Sequence, residues 1–487
     1  MDYRVKKWEY STGVQETKAK LKGVVERVPS FEAAASLLPP MTSMSHPFSY
    51  SPYVGKALLL ALLNVAVVFP QSGSQDPVFA TVPFDRWLAE REHALIPWKT
   101  SVFTSGLSSH QRLLTTVLIY VDGRQLGKRP QQGQLLMLLQ FNDSQGRVYR
   151  GHGTFELKEL DGAASQVDVF YTFRAFVAPG EYRIAIGLFH TETQESSFTR
   201  RLLRVAPLKN DPLPEAWRDL PPVEVLSPDG PPDEWFRPSV IGRLHLPLET
   251  RRPVHIDLLM NLPPELASGW YYQASMGVLL PALKVISQVE VRNGSLDVAL
   301  LDLARRCVVF EQANERDLDW PQLKSALTGS NRNVIDVHAL ENCSQNAEFF
   351  LSQIRGRLDT AISGQRQRAA EPLRALIVLS APMELARGTD LHPVQPDDFR
   401  GWSVYYIRYH SLLAASLLER LFAPMSPARP VPRVGGRPMP PARGLPAEPI
   451  DSLENLLKPL HPRLFDVANP EQFRKALARL LAEISGL

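Results

Sequence analysis

Apolar residues recur at every second position through residues 75–207, which is the period of a half-buried β-strand. Turn pairs such as Asp122-Gly123 and Pro179-Gly180 separate the runs. The predicted strands are Leu113–Val121, Gln134–Asn142, Gly153–Leu160, Val167–Phe176, Tyr182–His190 and Phe198–Val205. Short strands at this spacing predict an N-terminal all-β sandwich.

Strand-like and helix-like patterns alternate after residue 240, and this predicts a mainly parallel sheet covered on both faces, a C-terminal doubly wound α/β domain. The strands are predicted at Ile241–Leu248, Val254–Met260, Leu296–Asp302, Arg306–Gln312, Val334–Val337, Leu373–Leu379 and Val404–Tyr409. Helices are predicted at Trp270–Val289, Trp320–Leu327, Asn346–Ser363 and Pro470–Ile484. In such sheets, ligands bind at the carboxyl ends of the strands. We therefore expect the loop Asn261–Ser268 to border a binding rim.

Proline marks the boundaries, with 42 residues in a chain of 487. Residues 208–239 are rich in proline and charge and are predicted to be a linker, with Trp217, Trp235 and Phe236 filling the domain junction or, alternatively, forming a ligand platform. Residues 423–449 combine proline, glycine and arginine and are predicted to be an insertion in the α/β domain, which spans 240–487.

Residues 44–74 have the order of a secretory signal peptide. Lys56 precedes the apolar run Ala57–Phe69, and Ser72-Gly73-Ser74 supplies a small-residue cleavage site. The run is shorter than the ~20 residues that a membrane-spanning helix needs. We therefore expect a secreted or periplasmic protein with no stable membrane span in the mature chain, and residues 1–43 to be either a disordered extension or the product of a miscalled start.

The net charge of +3 comes without a Lys/Arg block in a predicted domain, so nucleic acid is not expected as a partner. The two cysteines, Cys307 and Cys343, fit no zinc or redox motif. In an exported protein they could form a disulfide. Two unpaired thiols are the alternative, since sequence does not show that the two residues are close.

The order of elements from Val240 to Leu487 resembles a von Willebrand factor type A domain of the secreted bacterial group, and the β domain in front is predicted to be immunoglobulin-like. In that family the first strand ends in D-x-S-x-S, which helps to coordinate a divalent cation. Here the corresponding residues are Asn261-Leu262-Pro263-Pro264-Glu265. The resemblance therefore implies a degenerate cation site, in which proline stands where hydroxyl ligands are needed.

The resemblance also implies which loops meet at the rim, and the candidate rim residues are Asn261, Glu265, Ser268, Ser344, Ser380 and Glu384. Mg²⁺ prefers carboxylate, hydroxyl and water oxygens. Proline has no side-chain donor and asparagine is a weaker, neutral ligand, so we expect no metal and no cofactor. A rebuilt Mg²⁺ site using the carboxylates and hydroxyls of this set is the alternative.

The sequence contains no nucleophile-elbow, zincin, P-loop, dinucleotide-binding or paired-cysteine motif. Isolated carboxylates such as Asp257, Asp297 and Asp302 lie in or beside predicted strands, and nothing in the sequence places a base beside a nucleophile. We therefore expect a non-enzymatic exported scaffold or binding protein whose partner is another protein. The alternatives are a metal-dependent adhesion module and an exported hydrolase with a site at the domain junction.

Overall fold

A computed structural model describes part of the chain, and all described residues fall in one compact unit, Ser72–Leu487. The described ranges are 76–159, 168–226, 242–263, 269–313, 317–329, 345–365, 372–383, 385, 401–410 and 451–487. The predicted extension, the predicted signal peptide and the predicted insertion 423–449 lie outside these ranges.

Residues 76–226, called here the β part, contain two antiparallel sheets. One sheet has the strand order β1-β8-β7-β4-β5 and the other has the order β2-β3-β6-β9. The strands are β1 (His93–Ala94), β2 (Trp98–Leu107), β3 (Leu113–Asp122), β4 (Gln134–Asp143), β5 (Val148–Glu156), β6 (Asp168–Val177), β7 (Gly180–His190), β8 (Ser196–Val205) and β9 (Val223–Leu226).

The two sheets share one core because their strands alternate between buried and more exposed positions. In β3 every second residue is buried, and Val117 and Ile119 of that strand meet Leu139 and Ile186 of the other sheet in one cluster. Tyr182 closes one corner, where its hydroxyl donates a hydrogen bond to the Ala178 carbonyl at 2.9 Å.

Short helices complete the β part. Phe84 and Trp87 of α2 pack on the outer face of the first sheet, against Leu136, Ala185 and Phe198. The helices are α1 (Val78–Thr81), α2 (Phe84–Ala89) and α3 (Gly123–Leu126).

Residues 246–485, called here the α/β part, contain a six-stranded sheet of order β14-β13-β11-β15-β16-β17 and a short pair, β10-β12. All neighbours in the large sheet are parallel except the edge strand β14. The strands are β10 (Leu246–Leu248), β11 (Val254–Asn261), β12 (Val289–Val291), β13 (Gly294–Asp302), β14 (Cys307–Gln312), β15 (Leu373–Ser380), β16 (Trp402–Tyr409) and β17 (Arg463–Val467). The helices are α4 (Gly269–Ile286), α5 (Trp320–Gly329), α6 (Gln345–Gln365), α7 (Ser452–Leu457) and α8 (Pro470–Ser485).

Helices cover both faces of the large sheet, which explains the continuous apolar runs in its central strands. On one face, Ile256 and Leu258 of β11 share a core with α4 and α8. On the other face, Leu259 packs with Phe350 of α6 and Leu453 of α7. We call this second face the α6/α7 face.

Strand β11 lies between β13 and β15 and pairs with both in parallel. The next strands of this sheet along the chain, β13 and β14, lie on one side of β11. The later strands, β15 to β17, lie on its other side. The carboxyl end of β11 is thus the point where the strand order reverses, and open sheets of this kind bind their ligands there.

The segment predicted to be a linker is partly built into the fold. Strand β9 pairs with β6 of the β part, and residues Pro214–Trp217 form a short 3-10 helix. Trp217 packs against both the β-part core and the α/β core, whereas Trp235 and Phe236 lie outside the described residues. Backbone pairing with β6 stabilises this segment despite its proline content.

Candidate functional site

Four residues line up across the carboxyl ends of four neighbouring parallel strands. Ser380 of β15 is in register with Arg408 of β16, and Arg408 is in register with Asp466 of β17. Met260 is in register with Leu379, and this places the following residue, Asn261, beside Ser380. These four residues, called here the carboxyl-end row, lie on the α6/α7 face. Asn261, Ser380 and Arg408 follow apolar residues of that face at period two, and Asp466 accepts a hydrogen bond from Arg408.

The half of the row at β11 and β15 is neutral and buried. Asn261 and Ser380 are both 0% exposed. The Ser380 hydroxyl donates to the Ala381 carbonyl at 2.8 Å, whereas neither Oδ1 nor Nδ2 of Asn261 has a hydrogen-bond partner among the described residues. A buried polar group without a partner costs on the order of 1–3 kcal/mol, so it calls for a functional explanation.

The half of the row at β16 and β17 is charged. Arg408 donates to Asp466 at 2.7 Å, to Asp451 at 3.2 Å and to Glu454 at 2.7 Å. His410 Nε2 lies 2.9 Å from Asp466 Oδ1. Three carboxylates therefore surround one guanidinium, and Glu454 and Asp466 are each about half exposed. This arrangement leaves an excess of negative charge at the surface.

The network shifts the pKa values of Arg408 and Asp466 in favour of their charged forms. Burial lowers the pKa of Arg408, but the hydrogen bonds and charges of Asp466 and Asp451 outweigh burial, and the pKa is raised. Burial raises the pKa of Asp466, but hydrogen bonds from His410 and Arg408 outweigh it and hold that pKa below its ordinary value. The row consequently keeps its charges at neutral pH.

The start of α7 fixes the segment that follows β15. Asp451 caps the helix by accepting a hydrogen bond from the Leu453 amide at 3.2 Å, as an N-cap aspartate does. The Ser452 amide donates to the Met383 carbonyl at 2.9 Å, and the Leu385 amide donates to the Ser452 hydroxyl at 3.0 Å. This part of the rim is therefore held by hydrogen bonds, and the Asp451 carboxylate is positioned for Arg408.

Of the six predicted rim residues, the structure brings Asn261 and Ser380 together. Asn261 is the last residue of β11, whereas the sequence predicted it to be the first residue of the loop. The other four lie outside the described residues: Glu265, Ser268, Ser344 and Glu384. The alternative of a rebuilt Mg²⁺ site therefore stays a hypothesis.

Cys307 is exposed at the start of β14, and Cys343 lies outside the described residues, so pairing between the two stays a prediction. Sequence reasoning missed the charged half of the row. A usable signal was present, because Arg408 is a single charge in the apolar run of β16. Asp466 had no such signal, since β17 itself was not predicted.

The junction between the β part and the α/β part is filled by ion pairs and aromatic rings. Arg474 of α8 donates to both oxygens of Asp211, at 2.6 and 2.8 Å, and its guanidinium lies 4.7 Å from the centre of the Trp217 ring. Trp217 Nε1 donates to the Gln111 carbonyl at 2.7 Å. The predicted junction role of Trp217 agrees with this geometry.

A second buried pair, Arg112 with Glu224, lies in the β part close to Lys284 of the α/β part. Burial, followed by the charges of Lys284 and Arg112, lowers the pKa of His110 to about 3. His110 is therefore neutral in this setting. Its ring packs edge-on against Phe176, with 5.6 Å between the ring centres.

None of the described helices is both long and apolar enough to cross a membrane. No known protein-family profile matches the sequence, and no curated protein matches it.

Among solved structures, the chain is similar to the ArnB paralog VWA2 from Sulfolobus acidocaldarius, with 8% identity and a TM-score of 0.21 over 62% of this chain and 51% of that one. It is also similar to a family 123 glycoside hydrolase from Clostridium perfringens, with 8% identity and a TM-score of 0.17 over 64% of this chain and 72% of that one. The chain thus spans about half the length of the VWA2 structure. At these TM-scores neither likeness carries an argument about this protein.

Proposed function

We propose that this chain is an exported, non-enzymatic binding or scaffold protein that contacts another protein through its carboxyl-end row. The observation that carries the proposal is the chemistry of that row at the reversal point of the sheet. A buried asparagine that has no side-chain hydrogen-bond partner among the described residues lies in the same row as a surface network of three carboxylates and one guanidinium.

The row favours a protein partner over a small molecule or a cation. Asn261 and Ser380 are neutral, and the carboxylates of Asp451, Glu454 and Asp466 already share the Arg408 guanidinium. Partly exposed Glu454 and Asp466 would complement lysine or arginine on a partner surface. We therefore expect the partner to present a basic patch, and the row itself to function without a metal.

The proposed fold class is a von Willebrand A-related doubly wound domain preceded by an immunoglobulin-like sandwich. The order of the six strands, with reversal at β11, is that of a doubly wound sheet, and the antiparallel edge strand β14 is compatible with the family resemblance. The Tyr182 hydroxyl bonded to the backbone four residues upstream supports the immunoglobulin-like assignment.

The proposed absence of catalysis rests on the sequence, which contains no recognised nucleophile, metalloprotease or phosphate-binding motif. Export rests on Lys56, the apolar run Ala57–Phe69 and the small residues Ser72–Ser74. The sandwich would then act as a spacer that presents the α/β part.

Site-specific photo-cross-linking tests the proposed contact. A photoreactive benzoylphenylalanine replaces Glu454, which is about half exposed at the row, and a matched control carries it at His461, which is exposed near the amino end of β17. In an extract of the native cells, position 454 should give a discrete cross-linked protein and position 461 should not. Equal labelling from both positions, or none from position 454, would contradict the proposal.

A further inference from the structure

A second group of polar side chains lies at the opposite end of the same sheet face. Asp257 of β11 is in register with Asp297 of β13, and His255 lies two residues before Asp257 on the α6/α7 face. One donor atom of each of the three residues lies within 4.8 Å of the others. Two neighbouring parallel strands therefore bring an imidazole and two carboxylates to one point.

The spacing of these donors suits a small cation. His255 Nε2 lies 3.3 Å from Asp257 Oδ2 and 3.7 Å from Asp297 Oδ2. Zinc bonds to histidine nitrogen and carboxylate oxygen of about 2.0–2.2 Å place neighbouring ligand atoms roughly 3–3.6 Å apart. An ion therefore fits between the three atoms with small adjustments of the side chains.

The imidazole ring is held in the orientation that metal binding needs. Its Nδ1 lies 2.6 Å from the Ser295 hydroxyl, and Ser295 is in register with His255 on the neighbouring strand. When Nδ1 carries the proton that Ser295 accepts, the lone pair of Nε2 points toward the two carboxylates. Such an outer hydrogen bond to the second ring nitrogen is typical of metal-ligating histidines.

The Asp257 carboxylate is also oriented, and one of its oxygens is available. Arg357 of α6 donates to Asp257 Oδ1 at 3.0 Å and to Glu311 at 2.7 Å, while Asp257 Oδ2 faces His255. Asp257 is 2% exposed, whereas the side chains of His255 and Asp297 are 25% and 21% exposed. An ion and its water ligands can therefore reach the site from solvent.

The balance of charge around the site favours a cation. The groups that face it are Asp257, Asp297, Glu311, Arg357 and Arg374. Among the described residues, three carboxylates thus face two guanidinium groups, which leaves an excess of negative charge around the imidazole.

We propose that His255, Asp257 and Asp297 bind a divalent first-row transition metal ion, such as Zn²⁺ or Mn²⁺. Imidazole together with carboxylate suits these ions better than Mg²⁺, which prefers oxygen ligands alone. The site lies in the amino-terminal halves of β11 and β13, whereas the carboxyl-end row lies at the carboxyl ends of the strands. The proposal is therefore independent of the proposed contact with a partner.

Calorimetric titration of the chelator-stripped full chain tests the site, with Zn²⁺, Mn²⁺ and Mg²⁺ as separate probes. We expect one equivalent of Zn²⁺ to bind and to raise the melting temperature, with Mg²⁺ binding much more weakly. Co²⁺ should give the visible absorption of a site with nitrogen and oxygen ligands. Failure of Zn²⁺ and Mn²⁺ to bind at one equivalent would overturn the proposal.

Variants locate the ion. Asp297→Asn and His255→Gln should each weaken Zn²⁺ binding at least about tenfold, and Ser295→Ala, a positioning change, should weaken it by a smaller factor. The matched control is Asp76→Asn, which alters an aspartate paired with His152 of β5 and should leave Zn²⁺ binding unchanged. If His255→Gln does not fold, the Co²⁺ absorption of Asp297→Asn decides the location of the ion, and its loss supports the proposed site. Unchanged metal binding in Asp297→Asn would refute the assignment.

Discussion

Asp211 shows how one buried carboxylate joins segments that are far apart in the chain. It accepts two hydrogen bonds from Arg474, 263 residues later, and its side chain is 11% exposed. Burial raises the pKa of Asp211, but the hydrogen bonds and charge of Arg474 and the hydrogen bond from the Leu213 amide outweigh it and lower the pKa. The folded state consequently prefers the ionised form.

A pH dependence of stability follows at this residue. Since the folded pKa of Asp211 lies below its unfolded value, its contribution is complete above the unfolded pKa of about 3.9 and is lost as pH falls through the folded pKa. We expect Asp211→Asn to have a shallower fall in the free energy of unfolding below about pH 4 than the unmodified chain. Denaturant titrations at a series of pH values measure this, and parallel curves would contradict it.

Some site residues were visible in the sequence and others were not. Asn261 and Ser380 could be identified because each ends a strongly apolar strand. Asp257 and Asp297 were noticed only as isolated carboxylates, because the register between β11 and β13 that joins them to His255 is not encoded locally. Pairing between strands that are distant in sequence depends on the whole fold, so local sequence patterns do not reveal such clusters.

At the scale of elements, central strands were predicted more completely than edge strands, although the edge strand β14 was predicted as Arg306–Gln312. The buried runs of β11 and β15 and the period-two pattern of β3 predicted strands at nearly their observed bounds. Strands β1, β2, β9, β12 and β17 were missed. Each lies at the edge of a sheet, where one side is unpaired and the apolar pattern is weaker, as the two exposed residues at the start of β17 illustrate.

Gly294 is the first residue of β13, the strand that carries Asp297, and it lies very close to the backbone of β11. Its φ is +152°, and a Cβ atom there would lie 1.7 Å from the Val254 carbonyl oxygen on β11. We expect Gly294→Ala to lower the free energy of unfolding by on the order of 3 kcal/mol, because the clash involves backbone and cannot be relieved by a rotamer change.

Gly356 provides the matched control. It lies in α6, and a Cβ atom there would meet nothing within 4 Å. Gly356→Ala should therefore be neutral or stabilise the helix by up to about 1 kcal/mol. Chemical denaturation of both variants measures the difference, and equal effects would show that the backbone approach at Gly294 is not a constraint.

At the scale of the whole molecule, α8 ties the α/β part to the segment that leaves the β part. Arg474 is 2% exposed and also donates to the Leu213 carbonyl at 2.6 Å, while the Pro470 carbonyl accepts a hydrogen bond from Gln111 at 3.1 Å. Helix α8 of the α/β part is therefore hydrogen-bonded both to the β part, at Gln111, and to the segment around Asp211 and Leu213.

Removing this tie should be costly. Arg474→Ala would leave Asp211 without its partner, and we expect a loss of about 3–5 kcal/mol in the free energy of unfolding. Arg463→Ala, which breaks an exposed pair with Glu483 on the same helix, should cost no more than about 1 kcal/mol. Comparable losses in the two variants would show that the junction does not depend on the buried pair.

The central claim is that the carboxyl-end row binds a protein with a basic patch, and the most direct test is the affinity of the cross-linked partner for charge-reversed variants. In Glu454→Lys with Asp466→Lys the charged network around Arg408 changes sign, whereas Asp85→Lys with Glu181→Lys reverses two exposed carboxylates of the β part. Interferometry with the purified partner should show binding at least about tenfold weaker for the row variant, equivalent to about 1.4 kcal/mol, and unchanged binding for the control. Equal affinity of both variants would contradict the account.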